Sequence, residues 1–156
     1  MAQALAILSR DEKHHGVGVL VTNKNKDLFY IQQKDEQYPI AQFKLCYSFF
    51  GGEKNKDETE ENALERELRE ELESAAAVKI SRLARKIGDF ELTSNGNPFT
   101  FTLYEAVLAE QELKELAGLP IKEGKRGALF DKDNITKLKF VHNLETVLRA
   151  YLTQLQ

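Results

Sequence analysis

The stretch GGEKNKDETEENALERELREELES, Gly51 to Ser74, changes character twice along its length. Its paired glycines interrupt either kind of regular structure and open a loop. From Asp57 onward the apolar residues recur with a period near 3.6. Leu64, Leu68 and Leu72 lie four apart, with Ala63 and Ala75 close to the same stripe, which predicts a helix over Asp57–Ser74 packed on one side. Asp57 followed three residues later by Glu60 has the form of a capping box, and an acidic first turn suits the positive end of the helix dipole.

On that helix Glu67, Glu70 and Glu71 are spaced i, i+3, i+4, so their carboxylates are expected to converge on one side, away from the leucine stripe. Like charges crowded in this way repel by a few tenths of a kcal/mol per pair at an exposed site. A hard divalent cation offsets such repulsion, because Mg²⁺ and Mn²⁺ take oxygen ligands and retain waters that suit a phosphate substrate. The plainer account of the same residues is a solvated acidic face, in a chain of which 30% is charged.

Outward from this segment the chain reads as strands on both sides. Gly16–Thr22 (GVGVLVT) and Asp27–Gln33 (DLFYIQQ), joined by the polar Asn23–Lys26, predict a hairpin. Phe43–Phe50 is a further β-prone run that ends at the glycine pair. Val78–Leu92 and Phe99–Leu108, separated by Asn95-Gly96-Asn97-Pro98, read as a second, longer hairpin. Glu110–Leu116 is expected to form a helical turn, Gly118–Gly127 a glycine-bearing loop, Ala128–Phe130 a short strand and Asn143–Leu155 a closing amphipathic helix. Strands in mixed order with two principal helices imply an α/β fold of the α+β type, a mixed sheet with helices packed on its faces.

Composition narrows the class of function. With 156 residues, 42% of them hydrophobic, the chain can close one substantial core, so a single domain spanning 1–156 is expected. A net charge of −3 argues against a grip on nucleic acid and for a small-molecule substrate. No run approaches the roughly 18 apolar residues that a membrane helix needs, and Met1–Asp11 lacks the form of a signal segment, so no membrane association and a cytoplasmic location are expected. Cys46, the one cysteine, lies in the apolar run Leu45–Phe50 and reads as buried filler. Adjacent His14 and His15 point to opposite faces of a strand and form no ligand set with His142.

Gly52, Glu58, Arg66, Glu67, Leu68, Glu70 and Glu71 coincide in type and spacing with the box of the Nudix hydrolases, G-x5-E-x7-R-E-U-x-E-E-x-G-U, where U is a bulky aliphatic residue. The chain thus resembles that family, whose fold is a mixed sheet sandwiched between helices, an α/β/α sandwich. The resemblance implies a metal-dependent hydrolase that cleaves a phosphoanhydride bond in a nucleoside diphosphate joined to another moiety. It implies Glu67, Glu70 and Glu71 as ligands of Mg²⁺, or Mn²⁺, with a backbone carbonyl from Gly52, and Arg66 with Glu58 as a buried ion pair holding loop to helix. Two departures stand out: Glu73 and Ser74 replace the closing glycine and aliphatic residue, and Phe50 replaces the proline that commonly precedes the glycines.

Further along, Lys122-Glu123-Gly124 resembles a loop in which the branch that sanitises 8-oxoguanine nucleotides carries an extra glutamate, which makes Glu123 a candidate general base. Asn143 resembles the asparagine with which that branch reads a purine, although Asn is also a favoured helix N-cap. Phe49 and Tyr47 would flank the same pocket, or belong to the core. Gln32-Gln33 stands where basic residues often sit in that branch, and Arg82, Arg85 and Lys86 read as solvated charge or as contacts for a phosphate or the second moiety. Family members are often homodimers. A Nudix-fold module that binds a nucleotide or protein without cleaving it is the competing reading; such modules usually lose box glutamates, and this chain keeps all of them.

Overall fold

The computed structural model describes residues 14–154. In chain order its elements are β1 (His14–Thr22), β2 (Leu28–Gln33), β3 (Tyr47–Ser48), β4 (Phe50–Glu53), α1 (Glu60–Glu71), α2 (Ser74–Leu83), β5 (Arg85–Ser94), β6 (Asn97–Val107), α3 (Glu110–Ala117), β7 (Arg126–Asp131), α4 (Lys132–Ile135) and α5 (Leu144–Thr153). The sheet runs β3-β2-β1-β6-β5, with β4 beside β1 and β7 beside β2. β1 and β6 are parallel from His14–Phe99 to Thr22–Val107, while the other pairings are antiparallel, so the sheet is mixed.

Alternation along β1 sends Val17, Val19 and Val21 to one face, where Tyr30 and Phe50 join them under Leu64, Leu68 and Leu72 of the α1 region, Ile80 of α2 and Leu113 of α3. Leu20, Phe29, Ile31, Phe101 and Leu103 line the opposite face against Val147, Leu148 and Tyr151 of α5. The result is the expected α/β/α sandwich, with two apolar layers separated by the sheet. Each large aliphatic side chain buried in either layer contributes about 1.5–3 kcal/mol. Cys46 lies in the α5-side layer, as filler. Among the described residues no helix is long and apolar enough to cross a membrane.

Five expectations need correction. The Phe43–Phe50 run is not one strand, since Ala41–Phe43 forms a single helical turn and Leu45 is left-handed (φ 65°), and the glycine pair opens no loop: Gly51 and Gly52 lie inside β4, paired with Gly18 and Val17 of β1. The first hairpin is short: only Val21–Tyr30 and Thr22–Phe29 pair, because β1 gives Gly16–Val19 to β4 instead. The second begins at Arg85, since Ser74–Leu83 is a helix whose Ala76, Ala77 and Ile80 face the core; its basic residues masked that helical stripe. The tight turn at Asn95-Gly96, both with positive φ, is where the dipeptide predicted it. Helix α1 is capped by Thr59, whose side chain accepts from the Asn62 N–H, and not by Asp57. It ends at Glu71, because Leu72 takes an extended conformation (φ −122°, ψ 160°) and α2 restarts at Ser74. That break needs no left-handed residue, which explains how Glu73 can stand in the place of a glycine; Glu73 is exposed to water.

Candidate active site

Helix α1 lies on the sheet by its leucine stripe, and the glutamates beside that stripe are carried inward with it. Glu67 and Glu71, one turn apart, are 1% and 0% exposed. Glu71 Oε1 accepts the Gly51 N–H at 2.8 Å, and its Oε2 accepts from the Gln32 amide at 3.4 Å. Gly52 passes so close to Glu67 that a Cβ there would lie 2.3 Å from Glu67 Oε1. Gly51 has φ +144°, and a Cβ on it would strike the Val17 carbonyl oxygen at 2.1 Å. The two glycines are thus what lets β4 run against the acidic edge of α1.

Arg66 fastens this arrangement. Its Nε donates to Glu58 Oε2 at 2.7 Å and its Nη2 to Glu58 Oε1 at 2.9 Å, a bidentate pair, while Nη2 also reaches the Glu53 carbonyl at 2.9 Å. Nη1 donates to Glu67 Oε2 at 2.9 Å and to Glu70 Oε1 at 3.3 Å. The Arg66–Glu58 pair, expected to be buried, is in fact partly exposed, at 31% and 20% of the two side chains. Hydrogen bonds from Arg66 hold the Glu58 carboxyl down at about 2.

The three box glutamates do not share one environment. Glu67 and Glu71 are buried together; Glu70, 37% exposed, leans on Arg66. Desolvation raises the pKa of Glu67, and Glu70 adds to the rise; desolvation also raises Glu71, opposed by the nearby Lys34 ammonium and reinforced by Glu67. Two buried carboxylates that burial penalises when charged are a donor set that a hard dication stabilises. The glycine at position 52 leaves no side chain between the β4 backbone and Glu67. These residues therefore fit a divalent cation. Among the described residues, a set of three ligand atoms already gathered within 4.8 Å lies elsewhere, at His15, Glu60 and Asp89, where Lys86 bridges the two carboxylates.

The loop before β7 packs onto the end of α1. The Lys122 N–H donates to the Glu71 carbonyl at 2.7 Å, and the Gln32 side-chain amide donates to the Glu123 carbonyl at 2.8 Å. Glu123 is thereby brought to the side of the site where Gln32 and Glu71 meet. Phe49 is core, 2% exposed and packed on Phe101 and Phe140 at centroid distances of 5.8 and 5.7 Å, and its inner edge lines a small cavity with Gly51 and Gly52. Tyr47 turns away to Phe130, and its hydroxyl accepts from Arg126. Asn143 occupies the position before α5 but caps nothing with its side chain, which donates to the Thr93 carbonyl; its backbone is left-handed, φ 62°. Arg85 pairs with Glu105, Lys86 with Glu60 and Asp89, and Arg82 lies on α2.

Three residues beside the site went unread in the sequence. His142, 1% exposed, puts Nδ1 2.7 Å from Ser94 Oγ and Nε2 3.2 Å from Tyr38 Oη, and with Tyr38 and Lys34 it lines the cavity next to Gly51 and Gly52. A period-two count from Tyr30 would have found Lys34: Tyr30, Gln32 and Lys34 alternate onto one face of β2 and its extension, the face under α1. His142 left no such signal. His14 and His15 do diverge as expected, His14 to Glu53 at 2.6 Å and His15 to Thr102 at 2.7 Å.

A glycine-bearing strand pressed on a helix that carries inward glutamates, within an α/β/α sandwich, defines the class of protein in which one strand and one helix make an acidic site for a cation. The NUDIX domain model matches residues 12–148, and the chain belongs to the Nudix family. Among curated proteins none matches. Its fold is similar to that of the NUDIX domain of Shewanella oneidensis NrtR complexed with ADP ribose, at TM-score 0.66 and 12% identity, with 99% of this chain and 97% of that one covered. It is also similar to a structure of MutT from work on Aliivibrio salmonicida and Vibrio cholerae (TM-score 0.60, 16% identity, 92% and 99% covered). A Caenorhabditis elegans Ap4A hydrolase in a binary complex is a third (TM-score 0.60, 14% identity, 91% and 97% covered).

Proposed function

We propose that this Nudix protein is a Mg²⁺-dependent pyrophosphohydrolase, with Mn²⁺ as a substitute, acting on a nucleoside diphosphate linked to a second moiety. The observation that carries the reading is the burial of Glu67 and Glu71 against the Gly51-Gly52 backbone, with Arg66 anchoring both loop and helix. Glu67, Glu70, Glu71 and the Gly52 carbonyl are the groups that would hold the metal. Such a cation supplies charge neutralisation on the pyrophosphate oxygens and a more acidic water.

The chain's own groups do the rest. Arg66 keeps Glu67 and Glu70 oriented and leaves Glu58 to hold the loop. Glu123, positioned through the Gln32 contact to its carbonyl, takes the proton of the attacking water as general base. Water adds to phosphorus and the bridging P–O bond breaks, so a nucleoside diphosphate joined to X yields a nucleoside monophosphate and the phosphate of X. Asn143, with Phe49 beside it, is the residue that would read the purine base of the nucleoside. Nucleotide sugars, dinucleoside polyphosphates and modified nucleoside triphosphates are the substrates to try, since the box determines the diphosphate chemistry and the loops the attached group. ADP ribose and Ap4A, named with two of the similar structures, belong in that panel.

The test is release of phosphate, pyrophosphate and nucleoside monophosphate across this panel, with and without Mg²⁺. Turnover that requires the metal and yields a monophosphate is the expected result. Silence from folded protein that still binds Mn²⁺ would overturn it in favour of a binding module.

A further inference from the structure

Lys34, just beyond β2, is 4% exposed and has no place in the family box. Its Nζ donates to Gln32 Oε1 at 2.8 Å and stands 5.2 Å from the centroid of the Tyr38 ring. Among the described residues it makes no ion pair, although an ammonium has three donors to place. Burying an unpaired ammonium costs several kcal/mol, so lysine is rarely kept in such a position without an anion to meet.

The surroundings of Lys34 say where that anion would lie. The side chain lines two cavities, one shared with Tyr38, Gly51, Gly52 and His142, the other with Gln32, Glu123 and Gly124. It therefore stands between the glycine pair of β4 and the Glu123 loop. Glu71, Glu123 and Glu67 attract it electrostatically without reaching contact. A dication among those carboxylates would cancel much of this field and leave the ammonium facing the cavities, with donors to spare. A phosphoryl oxygen of a diphosphate held between the metal and the Glu123 loop is the group that satisfies both the charge and the donors.

Resting on the function proposed above, we infer that Lys34 is a substrate-binding residue, whose ammonium takes a phosphoryl oxygen of the bound diphosphate. The alternative role, offsetting the charge of Glu67 and Glu71 in the folded chain, makes opposite demands. If Lys34 only balances those carboxylates, its removal tightens metal binding and leaves phosphate binding alone.

The experiment measures binding of Mn²⁺ alone, and of the non-hydrolysable probe imidodiphosphate with Mg²⁺, to the full chain and to Lys34→Met by calorimetry. The expected result is at least a tenfold loss of Mg²⁺–imidodiphosphate affinity in Lys34→Met, with Mn²⁺ affinity not weakened. Wild-type affinity for the probe in Lys34→Met, or no binding of the probe to the wild type, overturns the inference. Should Lys34→Met fail to fold, the wild type decides. Its Lys34 side-chain NMR signals, assigned by their loss in Lys34→Arg, shift on addition of the probe, and unmoved signals overturn the inference. A wild type that binds the probe through Lys34 but hydrolyses nothing would refute the proposed function and spare this one; turnover with an unimpaired Lys34→Met would do the reverse.

Discussion

Gly52 shows how a single missing side chain can join backbone geometry to chemistry. A methyl group there would meet only the far end of the Glu67 side chain, so the chain can still fold while the carboxylate is pushed out of place. Gly52→Ala is therefore expected to keep its melting temperature within a few degrees, about 1 kcal/mol, and to lose at least about tenfold in kcat. Gly51→Ala differs, because its methyl group would meet the rigid Val17 carbonyl at a positive φ. Several kcal/mol of stability should be lost there, which denaturant unfolding will read. At this scale the box residues were legible because chemistry dictates their type and spacing. Lys34 was not, since a lysine in sequence carries no mark of whether it is solvated, and His142 is buried by contacts from residues as distant as Tyr38 and Ser94.

Helix α1 is a lever between cap and site, and its two ends were legible to different degrees. The leucine stripe fixed its inner face, but Asp57 and Thr59 both have capping chemistry, and only the path of the preceding loop selects Thr59. Thr59→Ala should cost about 1 kcal/mol of stability with little change in kcat. The far end was harder to read. An extended Leu72 breaks the helix without glycine, and the basic residues of α2 hide its apolar stripe in the sequence. Because Glu73 is exposed and in an ordinary extended conformation, Glu73→Gly is expected to alter kcat less than twofold, a result that steady-state kinetics can check. A large fall would place that carboxylate in the site.

Over the whole molecule, the sandwich followed from alternating strands and one-sided helices, whereas the division of β1 between β2 and β4 depends on pairings that no local pattern carries. The same packing sets a pH limit. Burial lowers the pKa of His142 to about 4, so it is neutral in the fold, and unfolding restores its affinity for a proton. With an unfolded value near 6.5, the unfolded chain binds more protons between these limits. The stability contributed is complete above pH 6.5 and is lost as pH falls towards 4. Unfolding at pH 7 and pH 4.5 should differ by about 2 kcal/mol from this residue, and His142→Asn, which tolerates the left-handed backbone, should remove that part of the difference. The central claim, that the buried glutamates of α1 hold a metal for hydrolysis, is tested most directly by Glu71→Gln. Glutamine can still accept the Gly51 N–H, so the variant should fold. Turnover of the best substrate in Mg²⁺ should fall at least about 100-fold, near 3 kcal/mol, with weaker binding of Mn²⁺ in the same samples; a folded Glu71→Gln protein that keeps most of its turnover would contradict the account.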